Sequence, residues 1–190
     1  MRAAWRATVA ARVAPERLVF VDECGTHTSL SPIYGYAPKG ERLRLRVPRK
    51  RGKNTTLLAS MTLRGMGPSL AVEGATTARV FETYVEKVLA PSLEEGQIVI
   101  MDNLGAHRPK RIGELIEERG CELLYLPSYS PDYNPIEEAF AKIKHLLRKA
   151  SARMREALVD AIGVALCAIS AQDARGFFEH AGYRCPGHLL

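Results

Sequence analysis

The stretch Gln97-Ile98-Val99-Ile100-Met101-Asp102 is an apolar run that ends in a carboxylate. A run of this length predicts a buried strand. Apolar residues at helical spacing follow over 109–119, and Gly120 marks the end of that helix. Residues 121–126 then form another apolar strand. Because a strand, a helix and a strand in this order pack as a parallel pair, the stretch predicts an α/β sheet.

The first half of the chain adds strands of another kind. Residues 18–21 are a short apolar run that ends at Asp22, and residues 42–47 alternate strictly between polar and apolar. The first pattern predicts a buried strand and the second a half-buried one. Residues 55–63 predict a third strand, antiparallel to the second, and residues 69–73 a further one. We therefore expect antiparallel strands before the parallel ones.

Helices are predicted where apolar residues recur every three or four positions. This spacing is found over 77–89, from Pro135 through Leu147, and over about 153–170. Proline is favoured in the first turn of a helix, so Pro135 marks the start of the second of these. The whole pattern predicts an α/β fold of the ribonuclease H-like kind, a mixed five-stranded sheet flanked by helices.

Composition places the chain among ordinary soluble domains. It has 190 residues, of which 46% are apolar and 25% charged. No apolar run approaches the roughly 20 residues that a membrane-spanning helix needs, so no membrane partner is expected. The four cysteines form no C-x-x-C pair, and reduced thiols in a cytoplasmic protein are the simplest interpretation.

Positive charge is concentrated in one run. The formal net charge is +6, and eight lysines and arginines lie between Lys39 and Lys53 against a single acid, Glu41. Such a run attracts a polyanion, which favours nucleic acid as a partner. A solvated basic loop without a partner is the alternative interpretation.

Three carboxylates lie at positions that are typical of ligand-binding or catalytic residues. Asp22 and Asp102 each follow an apolar strand directly, and Glu137 lies in the first turn of the helix after Pro135. Ligands collect at strand ends in an open α/β sheet. Taken singly, each aspartate could equally cap a turn, and Glu137 could serve the helix dipole. Taken together, the three suit two divalent metal ions that act on a phosphodiester.

Each of these acids lies inside a longer motif. The three motifs are Arg17-Leu18-Val19-Phe20-Val21-Asp22-Glu23, Ile100-Met101-Asp102-Asn103-Leu104-Gly105-Ala106-His107 and Leu126-Pro127-Ser128-Tyr129-Ser130-Pro131-Asp132-Tyr133-Asn134-Pro135-Ile136-Glu137-Glu138. They resemble the first, second and third acid motifs of bacterial insertion-sequence transposases in the mariner superfamily. Thirty-four residues separate Asp102 from Glu137, the usual gap in that family when the third ligand is glutamate.

The resemblance covers nearly the whole chain and implies its organisation. Residues 16–150 would be a DDE catalytic domain with the ribonuclease H-like fold. Residues 1–15 would be an N-terminal remnant or linker, and residues 151–190 a C-terminal helix and tail that pack on the core. Family members usually carry helix-turn-helix modules before the catalytic core, and residues 1–15 are too short for one.

The resemblance also implies the site. Asp22, Asp102 and Glu137 would be the catalytic residues and would hold Mg²⁺ or Mn²⁺, with two ions expected. Glu23 and Glu138 are neighbours that could compete for these roles. Strand alternation is expected to turn Glu23 away from Asp22. Glu138 lies about 100° around the helix from Glu137, and we expect Glu137 to be the ligand.

Further residues are expected to support this site or to contact DNA. Tyr129, Asp132 and Asn134 would fix the loop that aims Glu137, with Asn134 as a helix cap. The expected DNA contacts are Arg46, Arg49, Lys50, Arg51, Lys53, Asn103 and His107. For His107, a surface histidine at a helix N-terminus is the alternative.

The resemblance predicts partners as well. Double-stranded DNA would be bound both as element ends and as target, and the active complex would contain a homodimer. A separate helix-turn-helix polypeptide or an upstream reading frame would supply end recognition. The protein would be cytoplasmic in a bacterium and associated with the nucleoid when bound to DNA. Two alternatives remain open: another ribonuclease H-like nuclease, and an inactive or partial remnant that binds DNA without transposing.

Overall fold

The computed structural model of the chain describes residues 2–44, 47, 52–103 and 109–184. Its strands are Leu18–Thr26 (β1), Thr55–Thr62 (β2), Gly65–Glu73 (β3), Ile98–Met101 (β4) and Glu122–Tyr125 (β5). They form one sheet in the order β3-β2-β1-β4-β5. The first three strands are antiparallel neighbours, whereas β1, β4 and β5 are parallel. The predicted mixed five-stranded sheet is confirmed.

Helices flank this sheet. Their bounds are Arg2–Trp5 (α1), Ala78–Tyr84 (α2), Lys110–Glu117 (α3), Ile136–Ala150 (α4), Arg155–Cys167 (α5) and Ala171–His180 (α6). Wider π-helical turns continue α1 through Arg6–Ala10 and α2 through Val85–Leu89. The helices predicted over 77–89, over 109–119 and from Pro135 are confirmed to within a residue or two.

Alternation along β1 divides the core between the two faces of the sheet. Phe20 packs with buried residues of α4, α5 and α6, whereas Val21 packs with those of α2 and α3. Both side chains are fully buried. Because helices cover both faces, β1 and β4 are apolar on both sides, which explains their continuous apolar runs.

The strand expected over 42–47 is not found in its described part. Residues 42–44 and Val47 form no strand and are exposed, and Leu45 and Arg46 lie outside the described residues. β2, which was expected to pair with this strand, pairs instead with β1 and β3, and β1 pairs with β2 and β4. A strand needs a hydrogen-bonding neighbour, and with both edges of β1 taken, alternation alone does not make a strand.

The helix expected over about 153–170 is confirmed as α5 to within three residues, and a further helix, α6, was not predicted. α5 ends at Cys167, and α6 begins after Ser170. The Ser170 hydroxyl accepts a hydrogen bond from the backbone of Asp173, whose carboxylate accepts one from the backbone of Ser170, so a capping box starts α6. Among the described residues, no single helix is long and apolar enough to cross a membrane. α5 and α6 together pass that test by length and composition alone, and they meet at a 77° bend.

Candidate active site

The two aspartates come together where the parallel pairing of β1 and β4 ends. Val21 and Met101 form the last parallel pair, so Asp22 and Asp102 are the next residues on each chain segment. β1 itself continues to Thr26 along β2. The prediction that the strand ends at Asp22 was therefore wrong. Its consequence still holds, because neighbouring strands lie about 4.8 Å apart and bring the two positions side by side.

Asp22 is held in place by two hydrogen bonds. Its Oδ1 accepts a bond of 2.7 Å from the backbone N–H of Glu23, and its Oδ2 accepts one of 2.7 Å from Asn134 Nδ2. The residue is only 6% exposed. A buried carboxylate is costly unless donors meet its charge. These two donors stabilise the charge and fix the direction of the carboxylate.

The two glutamates at the start of α4 point to different surroundings. Glu137 is exposed and lines the same cavity as the aspartates. Glu138 contacts α6 instead, with 2.6 Å between its Oε1 and Nδ1 of His180. This arrangement favours Glu137 over Glu138 as the third acid.

A cavity of about 630 Å³ joins the three acids. Asp22, Asp102 and Glu137 all line it, and so does Asn103. The rest of its wall comes mainly from residues 126–131, the loop that leads from β5 to α4. A position on β1, the residues just after β4, one loop and the start of one helix therefore meet around a single cavity.

The oxygen atoms of this cavity suit a divalent cation. Carboxylates are the ligands that Mg²⁺ and Mn²⁺ prefer. Two further oxygens in the same wall, Glu23 Oε2 and Asn134 Oδ1, are buried and have no hydrogen-bond partner within the described part of the chain. Such orphaned acceptors are what a cation or its water would satisfy. The residues present therefore fit the metal that the motif resemblance predicts.

The ligand cluster is not preformed. No three His, Cys, Asp or Glu side chains among the described residues lie close enough together to hold a metal ion as they stand. Carboxylates repel one another when no cation lies between them. The three acids therefore share one cavity without forming a closed set of ligands among the described residues.

A lysine lies beside the acids. Lys144 is seven residues after Glu137, or two turns along the same face of α4. Burial raises the pKa of the Cys24 thiol on β1, and the negative charges of Glu137 and Asp22 raise this pKa further. A contact with Lys144 lowers the same pKa and offsets part of the rise. Lys144 therefore lies near Cys24, two residues after Asp22 on β1. An ammonium group next to the acids is suited to hold a phosphate oxygen.

The loop between β5 and α4 has a defined shape. Pro131–Tyr133 form a turn of 3₁₀ helix, and Tyr129 has a φ of 55°, in the left-handed region. That conformation costs a non-glycine residue about 1–2 kcal/mol. Asn134 is not the helix cap that was expected, because α4 has no side-chain cap bond. Its amide donates to Asp22 instead and so ties the loop to β1.

The residues expected to contact DNA are only partly described. Asn103 is exposed at the cavity. Lys53 lies just before β2, where its Nζ is 2.6 Å from Glu73 Oε1. The remaining five predicted contacts fall outside the described residues: Arg46, Arg49, Lys50, Arg51 and His107.

Sequence reasoning missed three contributors to the site. Glu23 was expected to face away from Asp22, yet it lines the same cavity. Lys144 had a readable signal, its spacing of seven residues from Glu137 on one helix. Arg2 had none, because its partner Asp132 lies 130 positions away in the sequence.

Comparison with solved structures shows the same fold. The chain is similar to the "Mos1 transposase paired-end complex with left transposon end", with a TM-score of 0.78 and 17% identity over 95% of this chain and 56% of that one. It is also similar to the "catalytic domain of Mos1 mariner transposase", with a TM-score of 0.66 and 16% identity over 95% of this chain and 84% of that one. The chain thus spans about half the length of the protein in the paired-end complex.

Comparison with protein families identifies the chain itself. No match was found among curated proteins. A family model described as "DDE superfamily endonuclease" matches residues 17–159, a span that includes the three acids and the loop before α4. Since that match covers most of the chain, the protein belongs to the DDE superfamily endonuclease family.

Proposed function

We propose that the chain is the catalytic core of a DNA transposase, which cleaves DNA strands and transfers a 3′-hydroxyl end into target DNA. One observation carries this proposal: Asp22, Asp102 and Glu137 line a single cavity in a chain of the DDE superfamily endonuclease family. Solved structures of similar fold are described as Mos1 complexes with a transposon end, with Mn and with Mg.

The three acids would hold Mg²⁺ or Mn²⁺, with two ions in the active complex. When bound, such ions activate the attacking oxygen and stabilise the leaving oxygen of the phosphodiester. Asp22 enters this arrangement already oriented by Asn134 and by the backbone of Glu23. No side chain of this set has to act as a covalent nucleophile, since water or a DNA 3′-hydroxyl supplies the attacking oxygen.

Positive groups around the cavity would position the DNA backbone. Lys144, which lies near Cys24 on β1, would be one of these groups. We propose that Asn103 and His107 support the DNA strand at the cavity. The basic run would clamp phosphates farther along, through Arg46, Arg49, Lys50, Arg51 and Lys53. Contacts of this kind position DNA without reading its sequence.

The biological setting follows from the motif resemblance as part of the same proposal. The chain would act in a bacterial insertion sequence, in the cytoplasm and on the nucleoid. Two copies would bind the element ends and the target DNA.

Nicking of supercoiled plasmid tests the function. With Mg²⁺ or Mn²⁺ we expect the wild-type protein to convert supercoiled DNA to nicked circles, and EDTA to abolish this. Asp102→Asn should lower the rate by about 10²–10³-fold, because a preorganised charge is lost from the reacting centre. Asp160→Asn, at an exposed aspartate on α5, is the matched control and should nick at the wild-type rate.

Two outcomes would contradict the proposal. Nicking by Asp102→Asn at the wild-type rate would remove the acid triad from the mechanism. No metal-dependent nicking by a folded wild-type protein would favour a remnant that binds DNA without cutting it.

A further inference from the structure

The first residues of the chain contact the loop that lines the cavity. Arg2 donates hydrogen bonds to the backbone carbonyl of Tyr129 at 3.1 Å and to Ser130 Oγ at 2.9 Å. It also forms a two-bond ion pair with Asp132, at 2.9 and 2.6 Å. Its guanidinium carbon lies 4.9 Å from the centre of the Tyr133 ring. One side chain thus touches four of the five residues from 129 to 133.

A second tether reaches the same loop through the core. Trp5 Nε1 donates to the Tyr183 hydroxyl at 3.1 Å, and that hydroxyl donates to the backbone carbonyl of Tyr133 at 2.7 Å. Trp5 and Tyr183 are both buried. The guanidinium of Arg6 lies 5.5 Å from the centre of the Tyr133 ring. The segment 2–10 is therefore packed against the loop.

These contacts stabilise the loop 129–134, whose backbone includes an unfavourable conformation. The backbone of Tyr129 is in the left-handed region, which residues other than glycine rarely adopt. Arg2 donates a hydrogen bond to the carbonyl of this residue. The hydrogen bond from Arg2 lowers the pKa of Asp132, because the guanidinium stabilises the charged carboxylate. A single exposed ion pair contributes little, but a two-bond arginine fork that also binds a hydroxyl and a carbonyl fixes geometry.

The loop passes this constraint on to the acids. Asn134 follows the 3₁₀ turn directly and donates to Asp22. Glu137 comes three residues later, and its backbone N–H donates to the carbonyl of Asn134. A loop that moved at Asp132 would therefore displace both the partner of Asp22 and the start of the helix that carries Glu137.

We propose that Arg2 is a positioning residue for strand cleavage, acting through the loop 129–134 on Asp22 and Glu137. The N-terminal segment 2–10 then contributes to the geometry of the active site. Groups that orient a metal ligand through a second contact typically change activity or metal affinity by 10–100-fold. The expected effect of Arg2 on the cleavage rate rests on the proposed nuclease function. The expected effect of Arg2 on the loop 129–134 rests only on the contacts described above.

Two readouts on matched variants test this. In Arg2→Ala we expect amide hydrogen exchange over 128–134 to accelerate and kcat for plasmid nicking to fall by about 10–100-fold. KM should change little, because no DNA contact is removed. Arg2→Lys should lie between Arg2→Ala and wild type, since lysine keeps the charge and loses the fork. Arg12→Ala, at an exposed arginine of the same N-terminal region, should match wild type in both readouts.

A variant on the loop side of the ion pair distinguishes a local effect from a folding defect of the N-terminal segment. Asp132→Asn leaves the N-terminal segment intact and should reproduce the loss seen in Arg2→Ala, and the double variant should lose little more. Trp5 is the only tryptophan, so its emission shows whether the segment stays packed in each variant.

The outcomes separate this inference from the proposed function. Unchanged loop exchange together with unchanged kcat in Arg2→Ala would overturn the inference while wild-type nicking upholds the function. If the wild-type protein does not cut DNA, the function fails, and loop exchange alone then decides the role of Arg2. Equal losses in Arg12→Ala and Arg2→Ala would also overturn it, because the effect would then be one of general charge.

Discussion

Glu137→Gln should lower the rate of metal-dependent nicking by about 10²–10³-fold, whereas Glu138→Gln should leave it within about twofold of wild type. The two residues are adjacent and chemically identical. Glu137 lines the cavity with Asp22 and Asp102, but Glu138 contacts His180 on α6. Glutamine keeps the shape of the side chain and removes only the charge, so the comparison isolates the carboxylate that acts in the site. Initial rates on supercoiled plasmid at saturating Mg²⁺ measure both variants.

Thermal stability controls for a folding defect in either glutamate variant. Thermal unfolding of both should be similar to wild type, since Glu137 is exposed and the Glu138 contact is a surface pair of small worth. A large loss of rate in Glu138→Gln with little loss in Glu137→Gln would reassign the third acid. Equal losses in both would point to the helix start as a structural unit and away from a single ligand.

Phe178→Ala should lower the free energy of unfolding by about 3–5 kcal/mol, the largest effect on stability that we expect. Phe178 is fully buried on α6. Its ring packs edge-on against Phe20 of β1, with 5.2 Å between centroids, and lies 5.9 Å from the ring of Tyr183. Removing the ring leaves a cavity and breaks both aromatic contacts. Urea unfolding followed by Trp5 emission measures the change.

The neighbouring residue provides the control for this prediction. Glu179→Ala changes an exposed position on the same helix and should alter the free energy of unfolding by less than about 0.5 kcal/mol. A loss below about 1 kcal/mol in Phe178→Ala would mean that α6 is not part of the folded core in solution. Because Phe20 lies two residues before Asp22 on the same strand, we also expect slower nicking in Phe178→Ala.

Most strands of the sheet were predictable because their signals are local. An apolar run predicts a strand wherever both faces are covered, as for β1 and β4. The motif around Glu137 singled out this residue as the third acid through its distance from Asp102, and its role as a ligand stays a prediction. The end of β1 was not predictable in the same way. Its extension past Asp22 depends on pairing with β2, which no pattern within 18–26 reveals.

Other parts of the structure depend on contacts between distant residues. The alternation over 42–47 predicted a strand, but alternation does not say which neighbour a strand would pair with. α6 was not predicted, although its start had a readable signal in Ser170 and Asp173, which form a capping box. The bond between Asn134 and Asp22 joins positions 112 residues apart, so sequence spacing alone could not separate it from a helix cap.

The most direct test of the three acids as metal ligands is the metal preference of Asp102→Cys. A thiolate is a softer ligand than a carboxylate, so it binds Mn²⁺ better than Mg²⁺. We predict that Asp102→Cys nicks plasmid very slowly in Mg²⁺ and recovers in part in Mn²⁺, so that its Mn²⁺-to-Mg²⁺ rate ratio is at least about tenfold above that of wild type. A ratio equal to that of wild type, or full activity in Mg²⁺, would contradict the assignment of Asp102 as a metal ligand.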